Sequence, residues 1–287
     1  MSVSVSVPTR RERQRRETLA EIKARAMDQV AEGGAAAVSL NAIARAMGMS
    51  PAALYRYFAS RDALLAELVV DAYGSLADAL QRASDGAAAK AGDGAAERLA
   101  AVANAYRDWA LAHPNEYLLI FQTSSGSGLD LAPDRTVAAA QRSMDVFLTA
   151  LGGADARAGL NVTGRADVAK EAKMTGGAGG QAAGTPRAAG TPRAAGTPRA
   201  AGTPAAETPV GDAPLDPELA DQIQAWGRRS QAPGLTTERL YLGLLTWTRL
   251  HGLISLELGQ HLAATGVDPG RLYEEEVRSL LRRARLS

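Results

Sequence analysis

Residues Ser39 to Phe58 read SLNAIARAMGMSPAALYRYF. The stretch contains two short helical runs joined at Ala46-Met47-Gly48-Met49. Glycine at position 48 permits the left-handed backbone that a tight helix–helix turn requires. Leu40, Ile43, Ala44, Met49 and Leu54 are spaced to pack the two runs against each other, and Ala44 and Ala53 are small enough for a close approach. Ser50-Pro51 is a helix cap followed by proline at the first helical position, so it opens the second run. This is the pattern of a helix-turn-helix, whose second helix lies in the major groove of DNA. The plainer alternative is an ordinary helical hairpin.

Working outward, the preceding residues predict a long first helix. Thr9-Arg10-Arg11-Glu12 fits a capping box. Leu19, Ile22, Ala26 and Val30 then recur at helical spacing until Gly33-Gly34 stops the run. Ser60 caps a fourth helix expected to end near Ala83. Further helices are predicted at 95–111, 114–122, 134–151, 217–230, 237–262 and 269–285, with Asp216-Pro217 and Asp268-Pro269 repeating the cap-then-proline signal. No stretch alternates convincingly enough for a strand, so the chain reads as all-α.

Charge is concentrated in the same region. Residues 1–61 hold ten basic and five acidic groups, a balance of +5, whereas the whole 287-residue chain carries only +1. A basic head on a slightly acidic body suits a polyanionic partner, although a solvated helix face would look the same. Arg10, Arg11, Arg13, Arg15 and Arg16 precede the packed part of the first helix and read as an N-terminal arm attracted to phosphates. Cysteine is absent and only His113, His251 and His261 are present, which excludes thiolate chemistry and argues against a metal site. The chain lacks HExxH, a GxSxG elbow, a Walker loop and a dinucleotide fingerprint, so an enzyme is disfavoured. Gly126-Ser127-Gly128 reads as linker. No cofactor is expected.

Residues 152–214 differ in kind. They contain thirteen Gly and six Pro among 63 positions, and from Ala182 the hexapeptide AAGTPR repeats three times before AAGTPA. Such a segment cannot bury enough apolar area to offset chain entropy, so a disordered insert is expected. Met1 to Val7 does not read as a secretory signal, and the most apolar window, Leu240 to Leu258, contains Arg249, His251 and Glu257. Those charges argue against a membrane span. A cytoplasmic location with no membrane partner is expected.

Residues 15–70 resemble the DNA-binding domain of the tetracycline-repressor (TetR) family through Ser39, Ile43-Ala44, Gly48, Leu54-Tyr55, Phe58, Arg61-Asp62 and Leu64-Leu65. Tyr57 departs from the His common there, and Ala52-Ala53 from Gly-Thr, so no operator sequence carries over. The resemblance implies the following roles. Ser39 and Asn41 lie near phosphates. Pro51, Ala52 and Ala53 are closest to base edges, where an alanine can meet a thymine methyl. Tyr55 donates to a phosphate. Arg56 reads a base directly, its fork matching guanine O6 and N7. Tyr57 is a phosphate contact or a groove-facing ring, and Arg61 anchors phosphate. One of the two tyrosines is expected in the core, because residues two apart on a helix point in nearly opposite directions.

The stretch Trp247-Thr-Arg-Leu-His251-Gly252 resembles the WHG-type C-terminal domain of some family members. The implied organisation is a head at 9–75 and a ligand-binding and dimerisation body at 76–151 and 215–287, with the insert between. Pocket candidates are Tyr106, Trp109, Tyr117, Phe121, Phe147, Trp247 and His251, each alternatively plain core. The aromatic content suggests a lipophilic or planar effector. His251 reads as a core histidine bonded to a carbonyl. Leu240, Leu244, Trp247, His251, Ile254 and Leu258 form one apolar face of their helix, with Leu242, Leu245, Leu253 and Leu256 elsewhere on it. Tyr273, Val277, Leu280, Leu281 and Ala284 form the stripe of the last helix. Two such helices from each chain would build a homodimer that sets two reading helices ~34 Å apart on a palindromic operator. The expected function is a ligand-released repressor. The alternative is an architectural or constitutive DNA-binding protein without an effector.

Overall fold

The computed structural model describes residues 9–91, 94–122, 131–152, 215–230 and 234–284. The expected insert therefore lies outside the described residues apart from Gly152, as do Gly126-Ser127-Gly128. The described residues form helices and no strand.

Helix α1 (Arg10–Gly33) begins where the sequence predicts. The Thr9 hydroxyl accepts from the Glu12 amide, and the Glu12 carboxylate accepts from the Thr9 amide at 2.7 Å. The capping hydrogen bonds hold the Glu12 carboxyl below its ordinary pKa. The five arginines expected as an arm occupy the first turns of this helix and are exposed. The capping box removes the fraying that would have left them as loose chain. Ile22, Ala26 and Val30 form the buried stripe, and Gly34 (φ 71°) ends the helix.

Helices α2 (Leu40–Ala46) and α3 (Pro51–Tyr55) flank the predicted turn. Gly48 has φ 64°, and the Met49 amide reaches back to the Ala44 carbonyl at 2.9 Å, closing α2. A Cβ at Gly48 would meet nothing within 4 Å. Gly48→Ala should therefore cost about 1–2 kcal/mol from backbone strain alone. Urea unfolding checks this figure, with Gly74→Ala, in a right-handed helix, as the control.

Helix α4 (Arg61–Ala91) is a single 31-residue rod. It runs eight residues beyond the expected stop near Ala83. Ser84, Asp85 and Gly86 are weak helix formers, but the rod packs along α5 (Ala95–Ala112) and α7 (Pro133–Gly152), and tertiary burial overrides local propensity. Leu64, Leu65, Leu68 and Val69 of α4 join the head core, while Leu76 and Leu80 continue the same apolar cluster toward the body. The 75/76 boundary expected from sequence thus falls inside one helix.

The rest of the body comprises α6 (Pro114–Gln122), α8 (Pro217–Gly227), α9 (Thr237–Leu258) and α10 (Pro269–Arg283), with short 3₁₀ turns at Ala35–Ala37 and Ala263–Thr265. Helices α8 and α9 are each a few residues shorter than expected. Arg228 and Gly259 serve as their C-terminal caps, and the chain beyond each turns away. On α9 the buried residues are Leu240, Leu242, Gly243, Thr246, Leu250 and Ile254; of the face read from sequence Leu240 and Ile254 are buried, and Leu244, Trp247, His251 and Leu258 are half-buried. A Cβ on Gly243 would lie 2.5 Å from Leu148 Cδ2, so this glycine brings α9 onto α7. Gly252 faces open space, together with exposed Leu256.

The stripe of α10 is spent inside the chain. Tyr273, Val277, Leu280 and Ala284 are buried, and the Tyr273 hydroxyl donates to the Ala103 carbonyl at 2.6 Å. What α10 turns outward is polar, including Glu275, Arg278 and Arg282 in mutual ion pairs. Head and body are also tied electrostatically. Lys23 of α1 contacts Asp71 at 2.6 Å and Glu67 at 3.5 Å, and Arg135 of α7 contacts Glu67 at 2.6 Å.

Candidate nucleic-acid interface and body cavity

The short helix α3 owes its position to two buried side chains. Leu54 is 0% exposed, and Phe58, just beyond the helix, is buried with it. Ser50 caps the helix, its hydroxyl accepting from the Ala53 amide at 3.2 Å. With Leu54 pointing inward, Pro51, Ala52, Tyr55 and Arg56 point to solvent, and Ala53 is half-buried. Tyr55 is 46% exposed, so of the two tyrosines Tyr57 is the inward one. Tyr57 packs against the core, and the Arg15 guanidinium lies 5.5 Å from its ring centroid. That contact brings the basic start of α1 beside the end of α3.

Three residues singled out in the sequence serve the head itself. Ser39 caps α2, accepting from the Ala42 amide at 3.3 Å, while its own amide donates to the Gln29 side chain. Tyr57 is half-buried. Arg61 donates to the Ala35 carbonyl at 2.8 Å, pinning the turn after α1 to the start of α4. Asn41 is exposed at the start of α2, and Arg45, counted in the sequence only as part of the head's charge, is exposed near its end. The outward surface of the head is therefore a short helix with small residues at its N-terminus, flanked by cations. A DNA groove accepts such a probe.

The body holds a half-open cavity of about 530 Å³ between α4, α5, α6, α7, α8 and α9. Five of the seven pocket candidates line it: Tyr106, Phe121, Phe147, Trp247 and His251. Trp109 and Tyr117 do not. The Trp109 indole donates to Ser75 at 3.0 Å and its ring lies against His113. Tyr117 sits behind the wall. Its hydroxyl lies 2.8 Å from His251 Nδ1 and 2.9 Å from Ser255 Oγ, and donates to the His251 backbone carbonyl at 3.2 Å. The Tyr106 hydroxyl also approaches His251 Nδ1, at 3.3 Å. The His251 ring thus meets tyrosine hydroxyls and not the carbonyl expected from sequence. The reason is packing: α5 and α6 bring two phenols to a nitrogen that no backbone carbonyl reaches.

Burial lowers the His251 pKa and raises that of Tyr117 to about 12, so both are neutral near pH 7. The imidazole is stacked on Trp247, with ring centroids 5.4 Å apart. Sequence reading missed Tyr73, Gln141, Ser143, Met144, Trp226 and Arg229 of the lining. The amphipathic spacing of α7 signals its inward face, but nothing local in the sequence shows that this face borders a void. Among the described residues no cluster of acids and histidines suits a metal ion, and no helix is long and apolar enough to cross a membrane.

Comparison with known proteins agrees with this architecture. Residues 22–68 match the family described as bacterial regulatory proteins, tetR family, and residues 99–280 match the tetracyclin repressor-like C-terminal domain. The HTH-type transcriptional regulators Rv1816 of Mycobacterium tuberculosis and Mb1846 of Mycobacterium bovis are each 38% identical over 153 residues. The alignment covers 52% of this chain and 64% of theirs. The crystal structure of the regulatory protein SCO4313 aligns over 95% of this chain and 99% of its own, with 32% identity and a TM-score of 0.61. A Rhodococcus sp. RHA1 protein of unknown function shares the fold at 20% identity, with a TM-score of 0.56 and 98% of each chain covered.

Proposed function

The chain belongs to the TetR family of bacterial regulatory proteins, and from that premise we propose that it is a DNA-binding transcriptional repressor, acting as a homodimer on a palindromic operator and released by a small molecule in the body cavity. The observation that carries the DNA-binding part is the outward face of α3, which Leu54 and Phe58 hold in place. Arg56 is the direct base reader, its guanidinium suited to guanine O6 and N7. Pro51 and Ala52 approach base edges, with Ala53 behind them. Tyr55 and Asn41 meet phosphates. Ser39, Tyr57 and Arg61 place these groups, and Arg61 adds its positive charge to the phosphate path. Arg10, Arg11, Arg13, Arg15 and Arg16 supply sequence-independent attraction.

Homodimerisation is supported by the outward face of α9, where Leu245, Thr248, Gly252 and Leu256 recur at helical spacing around an open glycine. Arg249, paired with Glu276 of α10 at 2.7 Å, lies along the same face, so the partner surface is an apolar helix face with a charged group at its side. The described head (9–75) and body (76–151 and 215–284) divide the labour accordingly. The effector reading rests on the ring-lined cavity. The rival reading is a constitutive DNA-binding protein without an effector.

The test is titration of the purified chain with duplexes selected from a random pool. Arg56→Ala should weaken binding to the selected duplex by about 1–3 kcal/mol and relax preference at one base pair. Arg13→Ala should weaken selected and scrambled duplexes alike. Equal behaviour of the two variants, or no preference in the unmodified chain, refutes the assignment of α3.

A further inference from the structure

We propose that the body cavity selects an apolar carboxylic acid, held with its acid group outward at Arg229 and its apolar part inward against Phe121, Phe147 and Trp247. The inference rests on reading the cavity as the effector site and adds the chemical class. Its first support is the charge of the lining. Among the described residues no Asp or Glu lines the cavity, and the one charged side chain that does is Arg229. Arg229 is exposed at the end of α8, and its guanidinium makes no ion pair among the described residues. A cationic ligand would find no counter-charge and one repelling group.

The second support is that three other polar groups of the lining, on Gln141, Ser143 and His251, are already used within the chain. The Gln141 amide donates to the backbone carbonyl of Arg229, and the Ser143 hydroxyl donates to the Tyr73 carbonyl at 3.4 Å. His251 Nδ1 is engaged by two tyrosine hydroxyls, and burial keeps the ring neutral. What the lining still offers a polar ligand is the Tyr73 hydroxyl, the Trp226 and Trp247 indoles and His251 Nε2, few groups for a ligand rich in hydroxyls or amides.

The third is the wall itself. Phe121 lies 4.4 Å from His251 by ring centroids, and Phe147 stands edge-on to Tyr106 at 5.8 Å. These rings offer apolar area and slots for flat groups. Most of the last carbonyls of α8, which Arg229 follows, are taken within the chain. The Gln224 and Trp226 carbonyls accept from the Arg228 and Arg229 amides, and the Gly227 carbonyl accepts from the Ser230 hydroxyl at 2.8 Å.

The test is calorimetric titration of the full chain with 2-naphthoic acid, decanoic acid and their methyl esters, with Nile red as an uncharged reporter of the cavity. Each acid should bind about fivefold tighter than its ester, the size of a well-placed exposed ion pair. Arg229→Gln should bring the acid and ester affinities together. Tighter binding of naphthoate than decanoate assigns an aromatic acid, and the reverse an acyl chain; both support the class. Esters that bind as tightly as acids, with Ala140→Trp blocking both, overturn the carboxylate but keep the cavity as a binding site. No binding of acid, ester or dye, with Ala140→Trp changing nothing, overturns the effector site itself.

Discussion

Replacing Leu54 by alanine should lower the free energy of unfolding by about 2–5 kcal/mol and abolish selective DNA binding. Helix α3 has five residues, far below the length at which a helix persists in water alone. Its place is fixed by burial of Leu54, which is 0% exposed in one apolar cluster with Ile43, Ala44 and Phe58. Truncation removes the group that holds the outward residues in register and leaves a void that neighbouring α2 cannot fill without moving. Tyr55→Ala on the same helix removes an exposed ring, so it should cost little stability while still weakening DNA binding. Urea titrations of both variants check the contrast. A Leu54 variant as stable as the Tyr55 variant would mean that α3 is held by something other than its buried leucine.

Phe147→Ala should destabilise the fold by about 3–5 kcal/mol, more than Trp247→Ala in the same cavity wall. The ring is 1% exposed and packs edge-on against Tyr106. Removing it enlarges a space of about 530 Å³ that is already there, and the surrounding helices cannot close such a gap cheaply. The lower half of the range is expected, because one side of the ring already borders the cavity. Trp247→Ala, although it removes more atoms, should cost less, because Trp247 is only partly buried. Thermal or urea unfolding of the two variants reads the order, and the reverse order would place Trp247 in the core and Phe147 at its edge.

The head was legible because its rules are local. A capping box at Thr9, a serine cap at Ser50 and a left-handed glycine at position 48 each act within a few residues, and each is found where the sequence places it. The body was legible in its elements but less so in their phase. The face read on α9 is buried at Leu240 and Ile254 but only half-buried between them, because Leu, Trp and Gly occur almost all round that helix and periodicity alone cannot select a side. The apolar stripe of α10 was read correctly, and it packs inward, with Tyr273 bonded to Ala103. His251 was visible as an isolated polar group, but its tyrosine partners lie more than 130 residues away in sequence, where no spacing rule reaches. Arg229, at the cavity mouth, carried no signal at all in the sequence.

The uninterrupted α4 has an implication for protein engineering. Its first half completes the apolar centre of the N-terminal unit and its second half that of the C-terminal unit, so neither has a surface along which it could be cut cleanly. A graft onto a foreign scaffold would have to carry the rod through Leu80. A shorter transplant would leave Leu76 and Leu80 behind, the very side chains through which the rod grips its second support.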